Sequence, residues 1–88
     1  MKNLKVILVE RRLPSEKSLL HELKSLAETL GYEVVGVIQQ VRAPSSKYQI
    51  GSGKVDELAK MVKETGAEKI IFENELKPVQ AYNLAKKT

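Results

Sequence analysis

The chain has 88 residues, 42% of them apolar and 30% charged, which suits one small domain with an adequate core and carries no signature of disorder. Fifteen Lys and Arg against eleven Asp and Glu leave a net charge of +4, a moderate basic excess that favours a polyanion such as RNA, although lysines on solvated helix faces produce the same balance. Cysteine is absent and no apolar run reaches the ~20 residues that span a bilayer, so disulfides, thiolate metal sites and a membrane span are excluded and a cytoplasmic protein is expected.

The start, MKNLKVILVERR, is too short and too quickly charged for a signal peptide. Within it, residues 4–9 (LKVILV) form a short run rich in β-branched residues with charge on both sides, as in a strand buried on both faces. Ser15 is the expected cap of a helix that Gly31 closes, with Leu19, Leu20, Leu23, Leu26, Ala27 and Leu30 as one apolar stripe. His21, the lone histidine, lies off that stripe without a second ligand nearby, which fits a solvated side chain.

Residues 32–41 (YEVVGVIQQV) read as a second strand in an internal position, with Gly36 marking a bulge or a close approach. Residues 42–52 (RAPSSKYQIGS) lack regular periodicity and form the longest irregular connection, a place for function or mobility. Val55, Leu58, Ala59 and Val62 then recur at helical spacing up to Gly66. A short third strand, residues 68–73 (EKIIFE), precedes a helix entered at Pro78 and running to about Lys86, with Val79, Tyr82 and Ala85 facing inward.

The order βαβαβα predicts an α/β fold: a small three-layer domain with a mainly parallel sheet of about three strands and helices on both faces. A chain stopping at Thr88 just after a helix is expected to be cut short before a fourth strand, which leaves an open sheet edge for a homodimer.

The stretch GSGK at residues 51–54 has the glycine-lysine core of a phosphate-binding loop. The spacing G-x-x-x-x-G-K-[S/T] fails, because Tyr48 stands where the first glycine belongs and Val55 where the magnesium-binding hydroxyl belongs. The dinucleotide spacing fails as well, with Asp56 in place of its third glycine. No nucleophile-base pair or metal cluster is evident, so no catalytic or metal-ligating residue is assigned.

Glu10, Glu73 and Glu75 fall near the carboxyl ends of strands, where they read as helix-entry or solvent charges. A cationic group remains at the same edge. Arg42, Lys47 and Lys54 suit phosphate contact, Gly51, Ser52 and Gly53 offer backbone amides at a helix start, and Tyr48 offers a ring for base stacking. The alternative is a glycine-rich turn that merely lets loop meet helix.

Taken in order, Gln39, Arg42, Pro44, the segment Ile50, Gly51, Gly53, Lys54, and then Glu75, Leu76, Pro78, Gln80 and Asn83 resemble the amino-terminal domain of the HflX family of ribosome-associated GTPases. The resemblance covers nearly the whole chain. It implies one HflX-type amino-terminal domain over residues 1–88, not itself an enzyme, with the helical hairpin and GTPase domain of the full-length protein lying outside this chain. It further implies GTP and Mg for that full-length protein, none for this fragment, and as partners the large ribosomal subunit with its ribosomal RNA and the GTPase domain in cis.

Adenine nucleotides have been attributed to this region in some members, so an ATP-binding domain built on residues 51–54 is the alternative function. A purely structural domain that positions the GTPase is another. The chain departs from the family pattern at Asn74, Lys77 and Tyr82, where an aspartate, a hydroxyl residue and an arginine are common. The change at Lys77 removes a helix cap, and the one at Tyr82 removes a phosphate contact.

Overall fold

The computed structural model describes residues 3–88, so the first two residues of the MKNLKVILVERR segment lie outside the described part. Six elements alternate in the order β1 (Lys5–Arg12), α1 (Leu20–Thr29), β2 (Glu33–Val41), α2 (Ser52–Thr65), β3 (Lys69–Phe72) and α3 (Pro78–Lys87). The strands form one parallel sheet in the order β2-β1-β3.

Central β1 carries Val6, Ile7, Leu8 and Val9 with no exposed surface, which is why its sequence does not alternate. Ile7 and Val9 point to one face, into a core with Ile38, Ile50, Val55, Leu58 and Leu84. Val6 and Leu8 point to the other face and meet Ala27, Leu20 and Leu23 of α1. The result is three layers, with α1 on one side of the sheet and α2 and α3 on the other. No helix among the described residues is long and apolar enough to cross a membrane.

Gly36 serves both anticipated purposes. The β1–β2 register slips by one residue beside it, and a Cβ on Gly36 would collide with the sulfur of Met61. At the ends of α1 and α2, Gly31 and Gly66 take the left-handed conformation with φ of 89° and 70°. Around Gly31 the amides of Gly31 and Tyr32 return to the carbonyls of Glu28 and Ala27, a Schellman closure.

Four expectations need correction. β2 is an edge strand, because β1 takes the centre, and its Val37 and Val41 are exposed. α1 begins at Leu20 and not near Ser15, because the buried Glu10 carboxylate binds the Leu19 amide at 2.6 Å and the Ser18 hydroxyl at 2.9 Å, fixing the entry there. Of the six-residue stripe only Leu20, Leu23 and Ala27 pack on the sheet, while Leu19, Leu26 and Leu30 lie exposed on the flank of α1. In α3 the buried residues are Gln80 and Leu84, and Val79 and Tyr82 face outward. α3 rests partly on the carbonyls of an irregular segment, so amide side chains there satisfy more than apolar ones would.

Candidate functional site

In a parallel sheet of order β2-β1-β3 the crossovers leave β1 on one face and β2 on the other, so a crevice opens between the carboxyl ends of β1 and β3. Here that crevice is a hollow of about 290 Å³ whose lining includes Arg11, Ser45, Gln49, Glu75, Lys77 and Gln80. Its roof is the irregular segment 42–51, and the structure holds that segment closely.

Ser45 and Gln49 exchange backbone hydrogen bonds of 3.1 and 2.9 Å, closing a tight turn. Gln49 is buried and has φ of 71°, left-handed backbone that costs a non-glycine residue about 1–2 kcal/mol. Its side chain helps to offset that strain. Oε1 accepts from Arg11 Nε at 2.6 Å, and Nε2 donates to the Glu75 carbonyl at 3.3 Å.

Gln80 reaches from α3 to donate to the Ser45 carbonyl at 2.8 Å, and Asn83 donates to the Lys47 carbonyl at 3.1 Å. Gln80 also accepts from the Lys77 amide at 2.9 Å, the half of a capping box that the third helical residue supplies; a lysine ammonium, having no acceptor, cannot supply the other half. Asn74 both accepts from the Arg11 amide and donates to the Arg11 carbonyl, each at 2.7 Å, so its side chain extends the β1–β3 ladder by one rung.

The anticipated site residues separate into three groups. Arg42 and Gly51 come together: the Gly51 amide donates to Gln40 Oε1 at 2.8 Å, and a Cβ on Gly51 would stand 2.7 Å from a guanidinium nitrogen of Arg42. Ser52, Gly53 and Lys54 form the first turn of α2, which no side chain caps, and Lys54 Nζ pairs with Glu57 at 3.1 Å. Lys47 stands apart on the α3 side, its ammonium 5.3 Å from the centre of the Tyr48 ring. Tyr48 is 6% exposed and belongs to the core, which corrects the expectation that its ring could stack on a base. An aromatic residue in an irregular segment reads as accessible, but the segment folds that ring inward.

Gln40 and Gln49 carry no mark in the sequence, since a glutamine has no periodic or motif signal. Only Gln80, three residues after Lys77 at the N-cap of α3, sits where a capping pattern would point to it. Glu10, anticipated as a helix-entry charge, is one, and its burial distinguishes it. Burial raises its pKa, yet hydrogen bonds from the Leu19 amide, Gln39 and Ser18, with the nearby Arg12 charge, outweigh that effect and hold it below the ordinary carboxylate value. Among the described residues no group of three or more His, Cys, Asp or Glu could hold a metal ion.

Nor do residues 48–55 fit the triphosphate and magnesium of a phosphate-binding loop. Tyr48 and Val55, the two positions that break the motif, are both core side chains, so an opening glycine at 48 would empty part of the core and a hydroxyl at 55 would be buried in it, away from any metal.

A family model described as GTP-binding GTPase N-terminal matches residues 17–88. Relatives named GTPase HflX include one from Thermofilum pendens, 50% identical over 72 residues that cover 81% of this chain and 17% of the relative. That from Methanocaldococcus jannaschii is 49% identical over 72 residues, covering 82% of this chain and 18% of the relative. That from Escherichia coli is 44% identical over 66 residues, covering 74% and 16%. The chain therefore spans less than a fifth of the length of each of these relatives.

Proposed function

This chain belongs to the family of GTP-binding GTPase amino-terminal domains found in HflX proteins, and we propose from that premise that it is the ribosome- and RNA-contacting domain of an HflX-like GTPase. GTP binding and hydrolysis, with their magnesium, fall to a GTPase domain elsewhere in the full-length protein, joined through a helical hairpin. The domain acts in the cytoplasm by binding and not by catalysis.

The observation that carries this reading is the placement of Arg42. Its guanidinium lies over the Gly51 backbone at the uncapped start of α2, on a segment tied to β1, to the connection between β3 and α3, and to α3. A fixed guanidinium beside first-turn amides suits a phosphate oxygen, because the amides and the charge converge without further ordering of the chain. Lys54 extends the same surface, and its exposed pair with Glu57 is weak enough to give way to a phosphate.

The test is co-sedimentation of the chain with large ribosomal subunits over a range of salt. Arg42→Ala with Lys54→Ala is expected to weaken binding and flatten its salt dependence by roughly 0.7–0.9 in log-log slope for each phosphate no longer neutralised. Unchanged binding with an unchanged slope would overturn the assignment. Saturable ATP binding that Lys54→Ala abolishes would replace it with the nucleotide-binding reading.

A further inference from the structure

A second hollow, of about 140 Å³, lies between the tied segment and the end of α3, lined by Lys47, Tyr48, Asn83, Lys86 and Lys87. Three of these five residues are cations and none is acidic. Several cations elsewhere are committed: Lys54 pairs with Glu57, and Arg11 and Arg12 lie 3.9 Å from Glu16 and Glu10. Lys47, Lys86 and Lys87 are exposed and form no ion pair with any described residue.

The walls of this cleft are held in place. Asn83 and Gln80 join α3 to the carbonyls of Lys47 and Ser45, and the buried Tyr48 ring forms the floor. The ammonium groups of Lys47 and Lys86 each rest 5.3 Å from a ring centre, of Tyr48 and Tyr82 respectively, which directs both lysine stems. The negative end of the α3 dipole opposes an anion here. It amounts to about half a charge against three full positive charges, so the lysines prevail.

The volume decides the kind of ligand. It falls well short of the roughly 300–1,000 Å³ of sites that enclose a small molecule, but it admits a phosphate group whose chain continues along the surface on both sides. We infer that this lysine cleft is a second contact for the phosphodiester backbone of RNA, separate from the Arg42–Lys54 surface and indifferent to base sequence. The inference rests on the RNA-binding reading for the identity of the polyanion; Lys47 was anticipated as a phosphate contact, and only the fold brings Lys86 and Lys87 beside it.

Fluorescence anisotropy with two labelled single-stranded RNAs of about 20 nucleotides, a poly(U) and an unrelated mixed sequence, tests it across roughly 50 to 200 mM salt. Lys86→Ala with Lys87→Ala is expected to weaken binding to both RNAs by the same factor and to flatten the salt slope by about 1.4, two phosphates at ~0.7 each. Lys86→Arg with Lys87→Arg keeps the charge and is expected to keep the slope. Both pairs lie at the exposed end of α3, so an unchanged thermal midpoint confirms that folding is intact.

If the alanine pair binds like the parent while Arg42→Ala with Lys54→Ala loses affinity, the cleft is no RNA contact and the RNA-binding reading stands. A loss confined to one of the two RNAs would overturn backbone recognition. Absence of salt-dependent binding by the parent chain would overturn both.

Discussion

Glu10 illustrates how one residue can change meaning between sequence and structure. In the sequence it is a charge at the end of an apolar run, the usual mark of a strand reaching water. In the folded chain it is 1% exposed, and it accepts hydrogen bonds from Ser18, Leu19 and Gln39. It thereby joins β1, β2 and the entrance to α1. Replacing it with alanine leaves those donors without an acceptor in a buried place and is expected to destabilise the fold by about 2–3 kcal/mol, read from the urea midpoint.

The pH dependence has a definite sign. A carboxylate whose folded pKa lies below its ordinary value of 4.5 contributes fully above that value and loses its contribution as pH falls toward the depressed one. Glu10→Gln is therefore expected to lower stability at neutral pH and to flatten its decline below about pH 4.5. A variant that keeps the parent's acid profile would show that other carboxylates set it. Tyr48 changes meaning in the opposite direction, from an exposed stacking ring to a core side chain beneath Lys47. Neither outcome is visible locally, because burial depends on what other parts of the chain bring to the same place.

At the scale of elements, the ends set by glycine were legible and the ends set by distant side chains were not. Gly31 and Gly66 stop their helices through their own backbone freedom, a property any sequence displays. The start of α1 is fixed by a carboxylate nine residues away from the Leu19 amide, and the inward face of α3 by carbonyls some 35 residues earlier in the chain.

The glycines give a paired prediction. Gly31→Ala, at φ of 89°, is expected to cost about 1 kcal/mol although nothing would touch the new methyl. Gly53→Ala, in the first turn of α2 with open space around it, is expected to add roughly 0.5–1 kcal/mol. Thermal melts read both. If Gly53→Ala stabilises the domain but weakens ribosome binding, the glycine serves close approach of a ligand and not folding.

For the whole molecule, the alternation of strands and helices was enough to predict a parallel three-layer fold. It did not predict which strand lies in the middle. The 32–41 run is apolar enough for an internal strand, yet it is an edge, and both outer strands pair only with β1 among the described residues. Stability is accordingly expected to be graded across the sheet. In native-state hydrogen exchange the amides of Val6 to Val9, buried in a strand flanked on both sides, should exchange only with global unfolding, whereas outward amides of β2 should exchange through smaller openings. Equal protection in β1 and β2 would mean that the sheet's outer edge is covered in solution.

The sequence alone determined the fold class, the helix stops, the broken phosphate-loop spacing and the resemblance to HflX amino-terminal domains, because each is written in periodicity, backbone permissiveness or residue order. Tertiary structure decided the order of the strands, the burial of Tyr48 and Glu10, the network through Arg11, Gln49 and Gln80, and the meeting of Lys47 with the distant Lys86 and Lys87. These depend on contacts between segments far apart in sequence, whose partners are fixed only when the sheet and its two helical layers close around a common core.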